Sequence, residues 1–155
     1  MIDKRKFYIN GGWTNPIIKN DFEVINPSNE KSFAIISLGS KKDVDVAVNA
    51  AKKAFVTWSQ VNKKEKINLL ENLLKIYKSR WDEITQTMSE EMGAPLDWSS
   101  SAQTSSGADH INDFILRLKN FEFEKKFNNH SNNHIVYEPI GICGLITPWN
   151  WPINQ

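Results

Sequence analysis

The sequence predicts an α/β fold: paired hairpins first, long amphipathic helices next, and the opening strand of a parallel sheet last. Three observations carry that expectation. Short alternating apolar runs separated by Asn, Gly and Pro fill the stretch before residue 40. Apolar residues then recur at helical spacing as far as Leu118. Finally, Ile140 to Ile146 is a continuous apolar run bounded by turn residues, the form of a strand buried on both faces of a parallel sheet. At 155 residues the chain is long enough for a domain with a hydrophobic core.

The first hairpin reads from Phe7-Tyr8-Ile9 through Asn10-Gly11-Gly12 to Trp13. Asn-Gly between apolar runs suits a type I′ turn, because both central residues need positive φ. In the second, Phe22-Glu23-Val24 alternates, Asn26-Pro27-Ser28-Asn29 turns, and Phe33 to Leu38 returns. The basic cluster Lys4-Arg5-Lys6 reads as a solvated edge.

Ser40-Lys41-Lys42-Asp43 is a helix-start box, a hydroxyl cap with an acid three residues on. Val44, Val48, Ala51, Phe55 and Trp58 follow on one helical face. A longer stripe runs Ile67, Leu70, Leu74, Tyr77, Trp81, Ile84 and Met88, and predicts one helix that stops at Gly93 with Pro95 beyond. The Ser-rich stretch 99–108 reads either as a linker or as a helix whose small residues let another backbone approach. Ile111, Phe114, Ile115 and Leu118 resume helical spacing directly after it and favour the helix. Residues 125–133 are polar and Asn-rich, Ile135-Val136-Tyr137 reads as a strand, and Pro139 marks a break.

Composition excludes several functions. Lys and Arg total 19 against 18 Asp and Glu, so there is no basic excess for nucleic-acid binding. No apolar run is long enough to span a membrane, and Met1 to Asn10 lacks the apolar core of a secretion signal. Cys143 is the single cysteine, which fits a reducing, cytoplasmic setting. Its place inside the apolar run predicts a buried, inert thiol. His130 and His134 are four apart but lie in an Asn-rich stretch without the acid of a zinc-protease motif, so no metal site is expected. His110 reads as a surface or helix-packing residue. Glu90 and Glu91 are adjacent on a helix and do not face one another, so they read as a solvated helix end.

Chemistry concentrates in Pro148-Trp149-Asn150-Trp151-Pro152. A strand running into a rigid turn places groups beside the carboxyl ends of a parallel sheet, where ligands bind. The Asn150 amide offers two N–H donors without charge and could stabilise an oxyanion. The same side chain could equally form an Asx turn that caps a following helix.

The stretch Glu138 to Gln155, EPIGICGLITPWNWPINQ, closely resembles a fixed-spacing pattern of the NAD(P)-dependent aldehyde dehydrogenases, Glu-Pro-x-Gly-Val-x-Gly-x-Ile-x-Pro-Trp-Asn-aromatic-Pro. FYINGGW, EVINPSNEK, DVDVAVNAAKKAFVTWSQ and MSEEMGAP resemble earlier parts of that family in the same order. The resemblance implies that Ile140 to Ile146 begins a Rossmann-like cofactor domain, with Ile146, Thr147, Pro148 and Trp149 along NAD or NADP. It makes Asn150 the catalytic oxyanion donor and Trp151 a wall of the aldehyde tunnel. It divides the chain into an N-terminal shell at 1–120, oligomerisation arm strands at 121–139 and the start of the cofactor domain at 140–155.

The family's catalytic Cys region, general-base Glu, ribose-binding Lys and Gly-rich turn match nothing here, and Cys143 does not match the nucleophile. The expectation is an N-terminal fragment of an enzyme that oxidises aldehydes to acids, assembles as a homo-oligomer through its arm strands, and is inactive on its own. The alternative is a non-catalytic remnant that binds full-length subunits.

Overall fold

A computed structural model describes residues 1–128 and 132–154. Its strands are β1 (Ile2–Lys4), β2 (Phe7–Ile9), β3 (Gly12–Thr14), β4 (Asp21–Asn26), β5 (Lys31–Ser37), β6 (Glu124–Lys126) and β7 (His134–Val136). Its helices are α1 (Lys41–Trp58), α2 (Lys63–Ser79), α3 (Trp81–Met92), the short α4 (Leu96–Trp98) and α5 (Ser105–Asn120). A π-helical turn, Ser99–Thr104, joins α4 to α5.

Both predicted hairpins form. Asn10 and Gly11 have φ of 53° and 77°, the two positive values a type I′ turn demands, and Tyr8 meets Trp13 edge-on across the pair at 5.3 Å. β4 and β5 pair antiparallel with a bulge between Val24 and Ile25. The Asn26 side chain closes their turn by accepting from the Ser28 amide at 2.9 Å. β1 joins β5 in parallel and completes a sheet of order β1-β5-β4. The reading of the N-terminal basic cluster as a solvated edge holds, since β1 is an exposed edge strand. Lys4 lies in a strand, and Arg5 is clamped between Asp3 and Asp21, holding the Asp3 carboxyl down to about 2. Sequence periodicity missed β1 because it is three residues long and its partner lies some thirty positions away.

The capping box at the start of α1 is present: Ser40 accepts from the Asp43 amide, and Asp43 accepts from the Ser40 amide at 2.8 Å. Asp43 also accepts from the Ile17 amide at 2.8 Å, tying the helix start to the chain before β4. The single helix expected over 67–88 is instead two. Arg80, at φ −110° and ψ 21°, leaves helical geometry, and its amide terminates α2 on the carbonyls of Ile76 and Tyr77. The stripe keeps its face across the break, with Tyr77 and Met88 buried and Trp81 edge-on to Tyr77. α3 ends at Gly93, φ 68°, where a side chain would strike the Pro27 ring. No other residue suits both that φ and that approach.

α2 and α5 pack antiparallel. The Lys63 ammonium reaches the carbonyls of Lys119 and Phe121, Lys119 pairs with Glu71, and at the other end Tyr77 donates to the Thr104 carbonyl. The Ser-rich stretch is helical, and its hydroxyls bond back to carbonyls of the preceding turn, Ser101 to Asp97 and Ser105 to Ser101. The core formed here is small: Tyr77, Met88, Ala108, Ile115 and Leu118, with Thr85, Ser99, Gln103 and Thr104 buried beside them. Of the two readings of His110 the surface one holds, since its side chain is exposed.

The expected strand at Ile140 to Ile146 does not form. Residues 138–148 carry no helix or strand, and among the described residues their backbone makes no hydrogen bond to another backbone group. A strand is stable only when its amides and carbonyls meet a neighbour, and among the described residues no strand lies beside this one. Ile140 is 94% exposed and Ile146 99%. Cys143 is therefore exposed, which corrects its expected burial. No helix among the described residues is long and apolar enough to cross a membrane.

Candidate functional site

The extended segment 138–148 ends in a turn at 149–154 that folds back onto the π-helical turn and the start of α5. The chain reverses through a bond from the Asn154 amide to the Trp151 carbonyl, 3.1 Å. Three contacts hold the corner. Gln103 donates its side-chain amide to the Asn150 backbone carbonyl at 3.3 Å. Trp151 packs edge-on against Trp98, centroids 5.2 Å apart. Ile153 seats against Gly107 so closely that a Cβ there would overlap both Ile153 and the Tyr77 hydroxyl.

Behind the corner lies a buried polar cluster. The Thr85 and Thr104 hydroxyls share a 2.8 Å hydrogen bond, and Trp81 donates to Ser100 at 3.0 Å. The Tyr77 hydroxyl takes the Thr104 carbonyl, and burial raises its pKa above the usual phenol range. A π turn carries an extra residue that re-aims side chains relative to a regular helix. Here Ser99, Gln103 and Thr104 all point inward.

The predicted site residues fall into two groups. Ile146, Thr147, Pro148 and Trp149 line an exposed strip, with Trp149 81% exposed. Asn150 and Trp151 sit on the anchored corner, where Trp151 is half-buried and Asn150 exposed. Among the described residues the Asn150 side-chain amide makes no hydrogen bond and caps no helix, so its donors face outward while its carbonyl is held from behind. An open amide donor on a fixed backbone can receive a developing oxyanion. The described residues contain no cluster of three or more His, Cys, Asp or Glu able to hold a metal. His130 of the expected non-metal pair lies outside them, and His134 pairs with Glu124 at 2.7 Å.

Sequence reasoning passed over Gln103, Trp98, Gly107 and Ile153. The visible signal was the small-residue face at 99–108, read as a place where another backbone could come close. Which backbone it meets lies about fifty residues away and leaves no local trace.

The aldehyde dehydrogenase family model matches residues 13–155. Over its whole length the chain is 43% identical to a 3-succinoylsemialdehyde-pyridine dehydrogenase from Pseudomonas sp., covering 32% of that protein. The structure of an aldehyde dehydrogenase from Bartonella henselae superposes with TM-score 0.97 at 47% identity, over all of this chain and 33% of that one. An aldehyde dehydrogenase from Pseudomonas syringae, solved with NAD+ and octanal, superposes with TM-score 0.92 at 35% identity, over 97% of this chain and 30% of that one. The chain thus spans about a third of the length of the relatives it matches, and its mixed helix-and-strand architecture corresponds to their N-terminal part. With a family match over nearly all of its residues and a fold shared at 47% identity, the chain belongs to the aldehyde dehydrogenase family.

Proposed function

We propose that this chain supplies the oxyanion donor and one wall of the cofactor site to an NAD(P)-dependent oxidation of an aldehyde to a carboxylic acid. The observation that carries this reading is the Asn150 corner, with its carbonyl gripped by Gln103 and its side-chain amide open. When a thiol attacks an aldehyde carbonyl, the oxygen gains negative charge. A preorganised N–H donor stabilises that charge without reorganising. NAD(P)+, when bound, supplies the hydride acceptor. The strip Ile146 to Trp149 fits such a group: Ile146 and Trp149 offer uncovered apolar surface, and the Thr147 hydroxyl and backbone groups beside them are exposed. The Pseudomonas syringae relative was solved with NAD+, which supports the same cofactor class here.

Nucleophile and general base are not provided by this chain, and Cys143 lies in the exposed extended segment. The division into shell (1–120), arm strands (121–139) and cofactor-domain start (140–155) belongs to this reading, as do a cytoplasmic setting and a homo-oligomer joined through the arms. Purified chain supplied with an aldehyde and NAD+ or NADP+ should show no turnover. Turnover that persists after Asn150→Ala would contradict both the reading and the site.

One observation favours a second reading, that of a non-catalytic partner of full-length subunits. β6 and β7 form a two-stranded ribbon with Val136 and Tyr137 exposed, an edge suited to pairing with another chain. Co-purification with a full-length homologue would support it, and a monomer that is not retained would end it.

A further inference from the structure

We infer that Gln103 is a positioning residue that fixes where the Asn150 donor points. The inference rests on the reading of Asn150 as an oxyanion donor. Gln103 is 1% exposed and sits in the π-helical turn. Burying a primary amide costs free energy unless its polar groups find partners. Its Nε2 finds two, the Asn150 carbonyl at 3.3 Å and the Met92 sulfur at 3.4 Å. Both are acceptors, so the amide must present its nitrogen end to them; the flipped orientation would set oxygen against oxygen. The price of this orientation is visible at the other end, where Oε1 has no partner among the described residues.

The base of Gln103 is rigid. Its neighbour Thr104 is held through both carbonyl and hydroxyl by Tyr77 and Thr85, and the Ser106 hydroxyl bonds to the Gln103 carbonyl at 2.8 Å. What it grips is otherwise loosely defined. Residues 138–148 approach Asn150 without secondary structure. Trp151 and Ile153 are anchored beyond it by Trp98 and Gly107. The Gln103 contact is therefore the hydrogen bond that sets the Asn150 backbone itself, and a misplacement of about 1 Å at a catalytic group can cost about a hundredfold in rate.

The test is nuclear magnetic resonance on the isotopically labelled chain. Wild type should show Overhauser contacts between the Gln103 side-chain amide protons and Asn150 or Trp151. Gln103→Met retains volume and apolar stem but removes the donor. It should shift the Asn150 carbonyl carbon and the Trp151 indole N–H toward free-peptide positions. The Trp81 indole N–H, bonded to Ser100, should not move. Unmoved Asn150 and Trp151 resonances would overturn the proposal, as would a Trp81 shift as large as that of Trp151, which marks general repacking. Should Gln103→Met fail to fold, the wild-type contacts decide: their absence overturns the proposal and their presence sustains it. None of these readouts needs turnover, so a failure here is distinct from a failure of Asn150 as an oxyanion donor.

Discussion

Asp43 and Gly107 show how single residues hold this segment together. Asp43 is buried and accepts from the Ile17 amide and from both the amide and hydroxyl of Ser40. The Ile17 bond first, then Ser40, holds its carboxyl below the usual aspartate range. A carboxylate with a lowered folded pKa stabilises fully above its unfolded value, about 3.9. That stability is lost as pH falls through the lower folded value. Asp43→Asn should therefore lower Tm at neutral pH and flatten the dependence of Tm on pH below about 4, which a calorimetric pH series reads directly. Gly107 presents opposing terms. Alanine would gain up to about 1 kcal/mol of helix propensity. Its methyl would strike Ile153 and Tyr77, and overpacking costs about 1–3 kcal/mol. Gly107→Ala should therefore be net destabilising in urea melts.

At the scale of elements, the π-helical turn and the extended segment behave oppositely. The turn is braced by Tyr77, and Tyr77→Phe would remove the hydroxyl's bond to the Thr104 carbonyl. The expected loss is about 0.5–1.5 kcal/mol, measured by denaturant unfolding. By contrast, among the described residues the amides of 140–147 have no backbone partners and should exchange with solvent at close to free-peptide rates. Those of α2 and α5 should be protected, and protection across 140–148 would mean that a strand pairing forms after all. Local elements were legible where their causes are local. Ser40 and Asp43 announced α1, Asn10-Gly11 announced a hairpin, and Gly93 announced a helix end. The break at Arg80 was not legible, because the apolar stripe keeps its period across it. Nor was the missing strand at 140–146, since an apolar run records what a segment could pair with and not whether a partner is present.

Across the whole molecule, the apolar surface exceeds what the chain can bury by itself. Ile140, Leu145, Ile146 and Trp149 stand exposed on one segment, and Leu69, Leu73 and Ile76 on the outer side of α2. Contiguous exposed apolar surface promotes association, so the isolated chain should bind hydrophobic dye or self-associate as concentration rises. A compact, dye-silent monomer would contradict that expectation. The family was legible from the spacing of rare residues between Glu138 and Pro152, and the match over 13–155 agrees. The support of the corner was not, because Gln103 and Asn150 meet only through the fold. The most direct test of the central claim joins this chain in frame to the remaining two-thirds of a relative and measures kcat for NAD(P)+-dependent aldehyde oxidation with and without Asn150→Ala. The account predicts that the substitution lowers kcat by about a hundred- to a thousandfold with the fold intact; an unchanged kcat would show that Asn150 holds no oxyanion.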